Sequence, residues 1–251
     1  KMSEIKRYIL ILSAILALAL SSCNESLNPD EINYISNTIG KLERDNHSRY
    51  FIDGDRDSRF YIRNPQALFD GGIRPGERVY IEYTNAVQLR QSVKEVDIFY
   101  AYEVPVETAC HLSEDNEEAV GDDPIKVHMM WASDDYLNIQ YQFFTESKFP
   151  HSLSLVSVDH PKKEKPGYIY LEFRHNKNNN TGLNNYIGII SFDIEAYLEN
   201  APRTKGFIVR VNTRKGERFY QVEVDDDDDP DDNSDDEIDD DERPDSDTPE
   251  K

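Results

Sequence analysis

The stretch DYLNIQYQFF, Asp135 to Phe144, decides the fold. Leu137, Ile139, Tyr141 and Phe143 fall on one side of an extended chain, while Asn138, Gln140 and Gln142 fall on the other. Side chains alternate across a strand, so the spacing predicts a strand over 136–143 with one face in a core and one in water. A helix would need apolar positions three and four apart. Asp134 and Asp135 stand just before the run, which makes 126–131 its partner across a tight turn.

Working outward, further strands read at 152–158, 168–173, 186–192, 206–212 and 219–224, with Arg214, Lys215 and Gly216 turning between the last two. Residues 193–198 fit a single helical turn. Many short strands without a long helical pattern predict an antiparallel β-sandwich over 124–224. Upstream, 50–52 and 60–62 flank the turn residues Asp53, Gly54 and Asp55. Arg74, Pro75 and Gly76 turn into a strand over 78–83, and Val96 to Val104 is a strand ended by Pro105. These strands predict a small barrel over 46–106. The acidic, aperiodic segment 107–123 reads as a linker between the two domains.

Both ends are of another kind. Lys6 and Arg7 precede an apolar run from Tyr8 to Leu20, the pattern of an export signal over 1–22. The run is shorter than the roughly 20 apolar residues a membrane-spanning helix needs. Leu20, Ser21, Ser22 and Cys23 resemble a lipobox, which makes Cys23 the expected lipidation site and the bilayer, through acylated Cys23, an expected partner. Residues 23–45 lack sustained periodicity and read as a tether. At the other end, 225–251 carry 17 acidic residues against Arg243 and Lys251, so most of the net charge of −22 lies there. With Ile238 as its one large apolar residue, this segment cannot bury enough surface to offset its ordering entropy, and it is expected to be a disordered acidic C-terminal tail. Weak Ca²⁺ binding or attraction of a basic partner is the alternative reading of the tail. The acidity argues against nucleic acid, which needs Lys and Arg on one face.

The chain has two cysteines, so acylation of Cys23 leaves Cys110 without an internal partner, and Cys110 reads as a small buried hydrophobe. Asp53, Asp55 and Asp57 imitate the opening of an EF-hand loop, but Ser58 stands where the glycine is required and Asn64 where the bidentate glutamate is required. A polar hairpin turn explains them better. The histidines at 47, 111, 128, 151, 160 and 175 show no familiar zinc spacing, and His175 reads as ending a strand and setting a loop. Nucleophile-elbow, P-loop and dinucleotide fingerprints are absent, so no catalytic, metal or cofactor residues are assigned and no cofactor is expected. Tyr80 and Tyr100 are the outward-facing aromatic candidates for stacking a ligand.

The lipobox at Cys23, the Asp53–Gly54 turn, GERVYIEYT over 76–84, DYLNIQYQFF over 135–144 and EFRHN over 172–176 together resemble the NigD-like lipoproteins of Bacteroidota. The resemblance implies an OB-like barrel followed by a β-sandwich, and it carries no biochemical activity. The aspartate tail departs from the family pattern. The expectation is therefore an all-β chain: a small OB-like barrel, then an antiparallel β-sandwich, then the acidic tail. Its expected role is that of an envelope lipoprotein at the outer membrane, with periplasmic and surface faces both open. It would act as a binding or structural module toward an envelope protein or glycan. The alternatives are an envelope hydrolase or a Ca²⁺-responsive tether.

Overall fold

The structure is a computed structural model that describes residues 35–55, 58–133, 135–146, 151–180 and 182–224. The chain divides between Val104 and Pro105 into two compact units. The signal, Cys23 and the acidic tail lie outside the described residues.

In the first unit, strands β1 (Ser36–Arg44), β2 (Tyr50–Gly54), β3 (Ser58–Ile62), β4 (Arg78–Arg90) and β5 (Val93–Glu103) close a barrel in the order β1-β2-β3-β5-β4. The β3–β5 pair is parallel and the other pairs are antiparallel. This is the five-stranded OB arrangement. A short helix α1 (Gln66–Asp70) joins β3 to β4 and places Leu68 among the fully buried Leu42, Ile52, Val79, Ile81 and Val96.

One expectation fails here. Residues 36–44 are not tether but β1, paired on one side with β2 and on the other with β4. The inward positions of β1 are Thr38, Gly40 and Leu42, of which only Leu42 is a large apolar residue, so a period-two signal never forms. Gly40 is required by close approach: a Cβ there would sit 2.3 Å from the Asp53 carbonyl oxygen and 2.6 Å from Gly54 Cα. β4 also runs well past Tyr83, because irregular pairing between Thr84 and Val87 interrupts the alternation before the strand resumes.

In the second unit, β6 (Val106–Thr108), β7 (Cys110–His111) and α2 (Glu117–Val120) precede β8 (Lys126–Ser133), β9 (Tyr136–Thr145), β10 (Ser152–Ser157), β11 (Tyr168–Asn176) and β12 (Asn184–Asp193). Then come α2's successor α3 (Glu195–Asn200), β13 (Gly206–Thr213) and β14 (Gly216–Glu223). They form a five-stranded sheet, β14-β13-β11-β10-β7, and a four-stranded sheet, β6-β12-β9-β8. Their facing sides share one core, to which β9 gives Leu137, Ile139 and Tyr141, β11 gives Leu171 and Phe173, and β13 gives Phe207, Val209 and Val211. Most pairs are antiparallel, while β11–β13, β7–β10 and β6–β12 are parallel.

The stretch expected as an acidic linker, 107–123, is instead part of this unit. β6 extends one sheet and β7 the other, so the chain changes sheets at Ala109. Strands of three and two residues are too short to leave a periodic signal. Asn138, expected on the wet side of β9, is fully buried, with Ser133 and Ser191 as hydrogen-bond partners at 2.8 and 2.7 Å.

Candidate functional site

The inward rows of β9 and β11 do not end with the core. The next inward position after Tyr141 is Phe143, and the next after Phe173 is His175. Where the two sheets part beyond those residues, a cleft of 620 Å³ opens, lined from one sheet by Val127, Phe143 and Phe144 and from the other by His151, His175 and Tyr220. That volume lies within the roughly 300–1,000 Å³ typical of small-molecule sites.

His151, just before β10, lies nearly parallel to Phe143 with ring centroids 4.0 Å apart, and His175 lies 5.5 Å from the same ring at 12°. His151 Nδ1 and His175 Nε2 are 2.7 Å apart and share a hydrogen bond. Their other nitrogens, His151 Nε2 and His175 Nδ1, are buried without a hydrogen-bond partner among the described residues. The backbone carbonyls of Asp123 and Pro124 lie close enough to His175 to favour its charged form, but neither meets hydrogen-bond geometry with Nδ1.

Burial, and then the neighbouring His151, push His175 down to about 4, against the smaller opposing pull of Asp123. Burial lowers His151 as well. At neutral pH both rings are therefore uncharged. Asp123 is itself half-buried, which raises it, yet the Lys177 side chain and amide hold it below the ordinary carboxylate value. Its amide donates to the His175 carbonyl at 2.7 Å, and its carboxylate accepts from Lys177 Nζ at 2.8 Å. This clamp fixes the strand end that carries His175.

The rim is basic. Lys126, Arg214, Lys215 and Arg218 border the cleft, and none of them forms an ion pair among the described residues. Arg214 lies over the Phe144 ring at 5.1 Å. The hairpin turn read at Arg214–Gly216 is thus also one lip of the cleft.

The other candidates are placed elsewhere. His175 stands at the end of β11, one residue before its last, as expected, and its side chain lies in the cleft floor, which was not expected. His128 bonds Gln142 at 2.8 Å and His111 bonds Ser157 at 3.2 Å. Asp53 pairs with Arg59, and Asp55 is buried against Arg78 at 2.7 Å, so both serve ion pairs in the barrel; Asp57 lies outside the described residues. Among the described residues no three His, Cys, Asp or Glu side chains gather as metal ligands. Tyr80 stacks on Tyr102 at 5.0 Å and bonds Glu82, while Tyr100 is exposed. Cys110, expected to be buried, is exposed, because the edge strand β7 presents it outward. The His151–His175 pair was invisible to a search for ligand spacing, since 24 residues separate the two. Its one sequence signal is the parity of 169, 171, 173 and 175, which puts His175 on the core face.

Residues 108–224 match the family model described as NigD-like C-terminal beta sandwich domain. No curated protein matches the chain. Among solved structures, a protein of unknown function from Bacteroides vulgatus is 23% identical with a TM-score of 0.65, covering 76% of this chain and 92% of that one. A NigD-like immunity protein from Bacteroides caccae is 16% identical, TM-score 0.52, covering 76% and 91%. A protein from Bacteroides fragilis described as a candidate lipoprotein is 10% identical, TM-score 0.56, covering 76% and 98%. At these identities the likeness is one of fold. The match covers residues 108–224, so the unit that carries the cleft is similar to the C-terminal β-sandwich domain of the NigD-like proteins.

Proposed function

We propose that this chain is a cell-envelope lipoprotein, anchored to the outer membrane through acylated Cys23, whose C-terminal unit binds a small molecule in the sandwich cleft. The observation that carries the binding role is the cleft floor. Two buried imidazole nitrogens there lack hydrogen-bond partners among the described residues, beside a 620 Å³ space. A buried polar atom left unpaired costs about 1–3 kcal/mol, so a ligand that bonds it recovers that energy. Catalysis is disfavoured, because the two imidazoles bond each other and, among the described residues, neither is bonded to a hydroxyl or thiol that could serve as nucleophile. The Bacteroides caccae neighbour is named a NigD-like immunity protein. Anchoring is supported by the lipobox Leu20–Cys23 and by the fold likeness to the candidate lipoprotein of Bacteroides fragilis.

Chemical-shift mapping with a small-molecule fragment library tests the binding role. Hits should move the resonances of Phe143, His151 and His175 together and leave the barrel unmoved. Shifts scattered over the surface, or none, count against it. Mass spectrometry tests the anchor: the mature N-terminus should be a diacylated Cys23, and Cys23→Ser should abolish acylation. A mature wild-type chain with no acyl group would end the lipoprotein reading.

A further inference from the structure

We infer that the cleft takes a flat organic anion, such as an aromatic carboxylate, with its ring on the imidazole pair of the floor and its charge at the Lys215–Arg218 lip. The inference rests on the cleft being the ligand site. Three observations converge on this class of ligand.

The first is charge. The chain carries a net charge of −22, yet Lys126, Arg214, Lys215 and Arg218 collect around one opening, and none is neutralised by a carboxylate of the described residues. The one acid near the floor, Asp123, is already held by Lys177. A cation entering the cleft would meet this rim with no unpaired acid of the described lining to receive it, whereas an anion would be drawn in and held.

The second is shape. Phe143, His151 and His175 present rings within 15° of one another, and Tyr186 continues the stack behind Phe143 at 5.2 Å and 23°. Phe143 is covered by the imidazoles on one side and by Tyr186 behind, so the edge-to-edge imidazole pair is the planar shelf in the cleft lining, and an aromatic body stacks on such a surface with centroids about 4.5–7 Å apart. Bare phosphate or acetate would satisfy the rim and leave the shelf uncovered.

The third is hydrogen bonding. In a neutral pair sharing one hydrogen bond, one of the two remaining nitrogens carries a proton and the other a lone pair. The floor therefore offers one donor and one acceptor to a polar substituent on the ring. Both atoms are buried and unpaired at the edges of rings that line the cleft, so a polar substituent that reaches the ring edge, not the ring face, would complete them.

The test uses the mature full-length chain with 1-naphthoate, its uncharged analogue 1-naphthamide, and inorganic phosphate, followed by isothermal titration and by the resonances of Phe143, His151 and His175. Naphthoate should bind at least tenfold more tightly than naphthamide, and phosphate should compete only weakly. The double variant Lys215→Gln/Arg218→Gln, on exposed positions, should bring naphthoate down to the affinity of the amide and leave the amide unchanged. Equal affinity of acid and amide, or a double variant that holds naphthoate as well as wild type, overturns the anion assignment while the cleft remains a binding site. If neither naphthyl probe moves the three floor resonances, the cleft itself is not the site and both readings fall.

Discussion

His151 Nδ1 stands 2.7 Å from His175 Nε2, so two imidazoles share a single hydrogen bond on the face of Phe143. The arrangement suits the neutral state and resists a second charge, which burial and the mutual proximity of the rings both penalise.

Stability should therefore fall as the solution is acidified through the histidine range. An unfolded histidine titrates near 6.5 and folded His175 at about 4, so the unfolded chain takes up the proton first as pH drops. The stabilisation is complete above about 6.5 and declines toward pH 4, by about 3 kcal/mol over the whole window. Asp123, Asp97 and Glu217 are held below their ordinary values, and as carboxylates they lose their contribution at still lower pH. Urea midpoints at pH 7 and pH 4.5 should differ for the wild type, and His175→Phe should flatten the difference. A His175→Phe curve as steep as wild type would assign the acid sensitivity to other groups.

The two faces of β9 should respond differently to truncation. Ile139 is fully buried in the shared core, and Ile139→Ala removes transfer energy and leaves a cavity, at a cost of about 2–5 kcal/mol. Gln140 is half-buried on the opposite face, and its replacement by Ala should cost about 0.5 kcal/mol. Equal shifts in the denaturant midpoint would contradict the observed facing.

Strands with a large apolar residue at every second position, such as β9 and β13, were legible in the sequence because burial on one face imposes that pattern directly. β1 was not, since Thr38 and Gly40 occupy inward positions where closure of the barrel demands small side chains. β6 and β7 were not, since two or three residues cannot display a period. The cleft was half legible: the Arg214–Gly216 turn and the inward parity of Phe143 and His175 follow from alternation. The approach of His151 to His175 depends on the β10–β11 register, which pairs Ser152 with Asn176 and which no local pattern encodes.

Cys110 should react with a thiol reagent in the folded protein. It is exposed on the two-residue edge strand β7, so labelling should not wait for unfolding. Labelling that appears only in denaturant would return Cys110 to the buried role first expected of it.

Arg210 binds three carboxylates on the outer face of the five-stranded sheet, Asp122 at 2.7 Å, Glu217 at 2.6 Å and Glu172 at 3.2 Å. Arg210 and Glu172 are both buried, and Arg174 also reaches Glu172 at 2.6 Å. Arg210→Met leaves the buried Glu172 with one guanidinium in place of two, and such a loss costs about 3–5 kcal/mol when a buried charge is stranded. Because Arg174 remains, the thermal denaturation of Arg210→Met should fall at the lower end of that range, and that of Arg210→Met/Glu172→Gln should recover part of it. A double variant less stable than the single would mean that the hydrogen bond Glu172 accepts from the Tyr170 hydroxyl at 3.0 Å matters more than its ion pairs.

The last prediction separates a tether from a strand at residues 36–44. Gly40 faces Gly54 across the β1–β2 pair and Val79 across the β1–β4 pair, at an inward position of the barrel. A methyl group at residue 40 would meet the Asp53 carbonyl oxygen at 2.3 Å, Gly54 Cα at 2.6 Å and the Ile52 side chain at 2.7 Å. Two of those three contacts are backbone, so they cannot be relieved by a change of rotamer, and the strands must move apart. Overpacking of this kind costs about 1–3 kcal/mol, occasionally more. Gly40→Ala should therefore lower the unfolding midpoint of the barrel clearly, whereas Lys41→Ala, on an exposed neighbouring position, should change it by less than about 0.5 kcal/mol. A silent Gly40→Ala would mean that the segment does not close the barrel in solution, and residues 36–44 would revert to the tether that their sequence suggests.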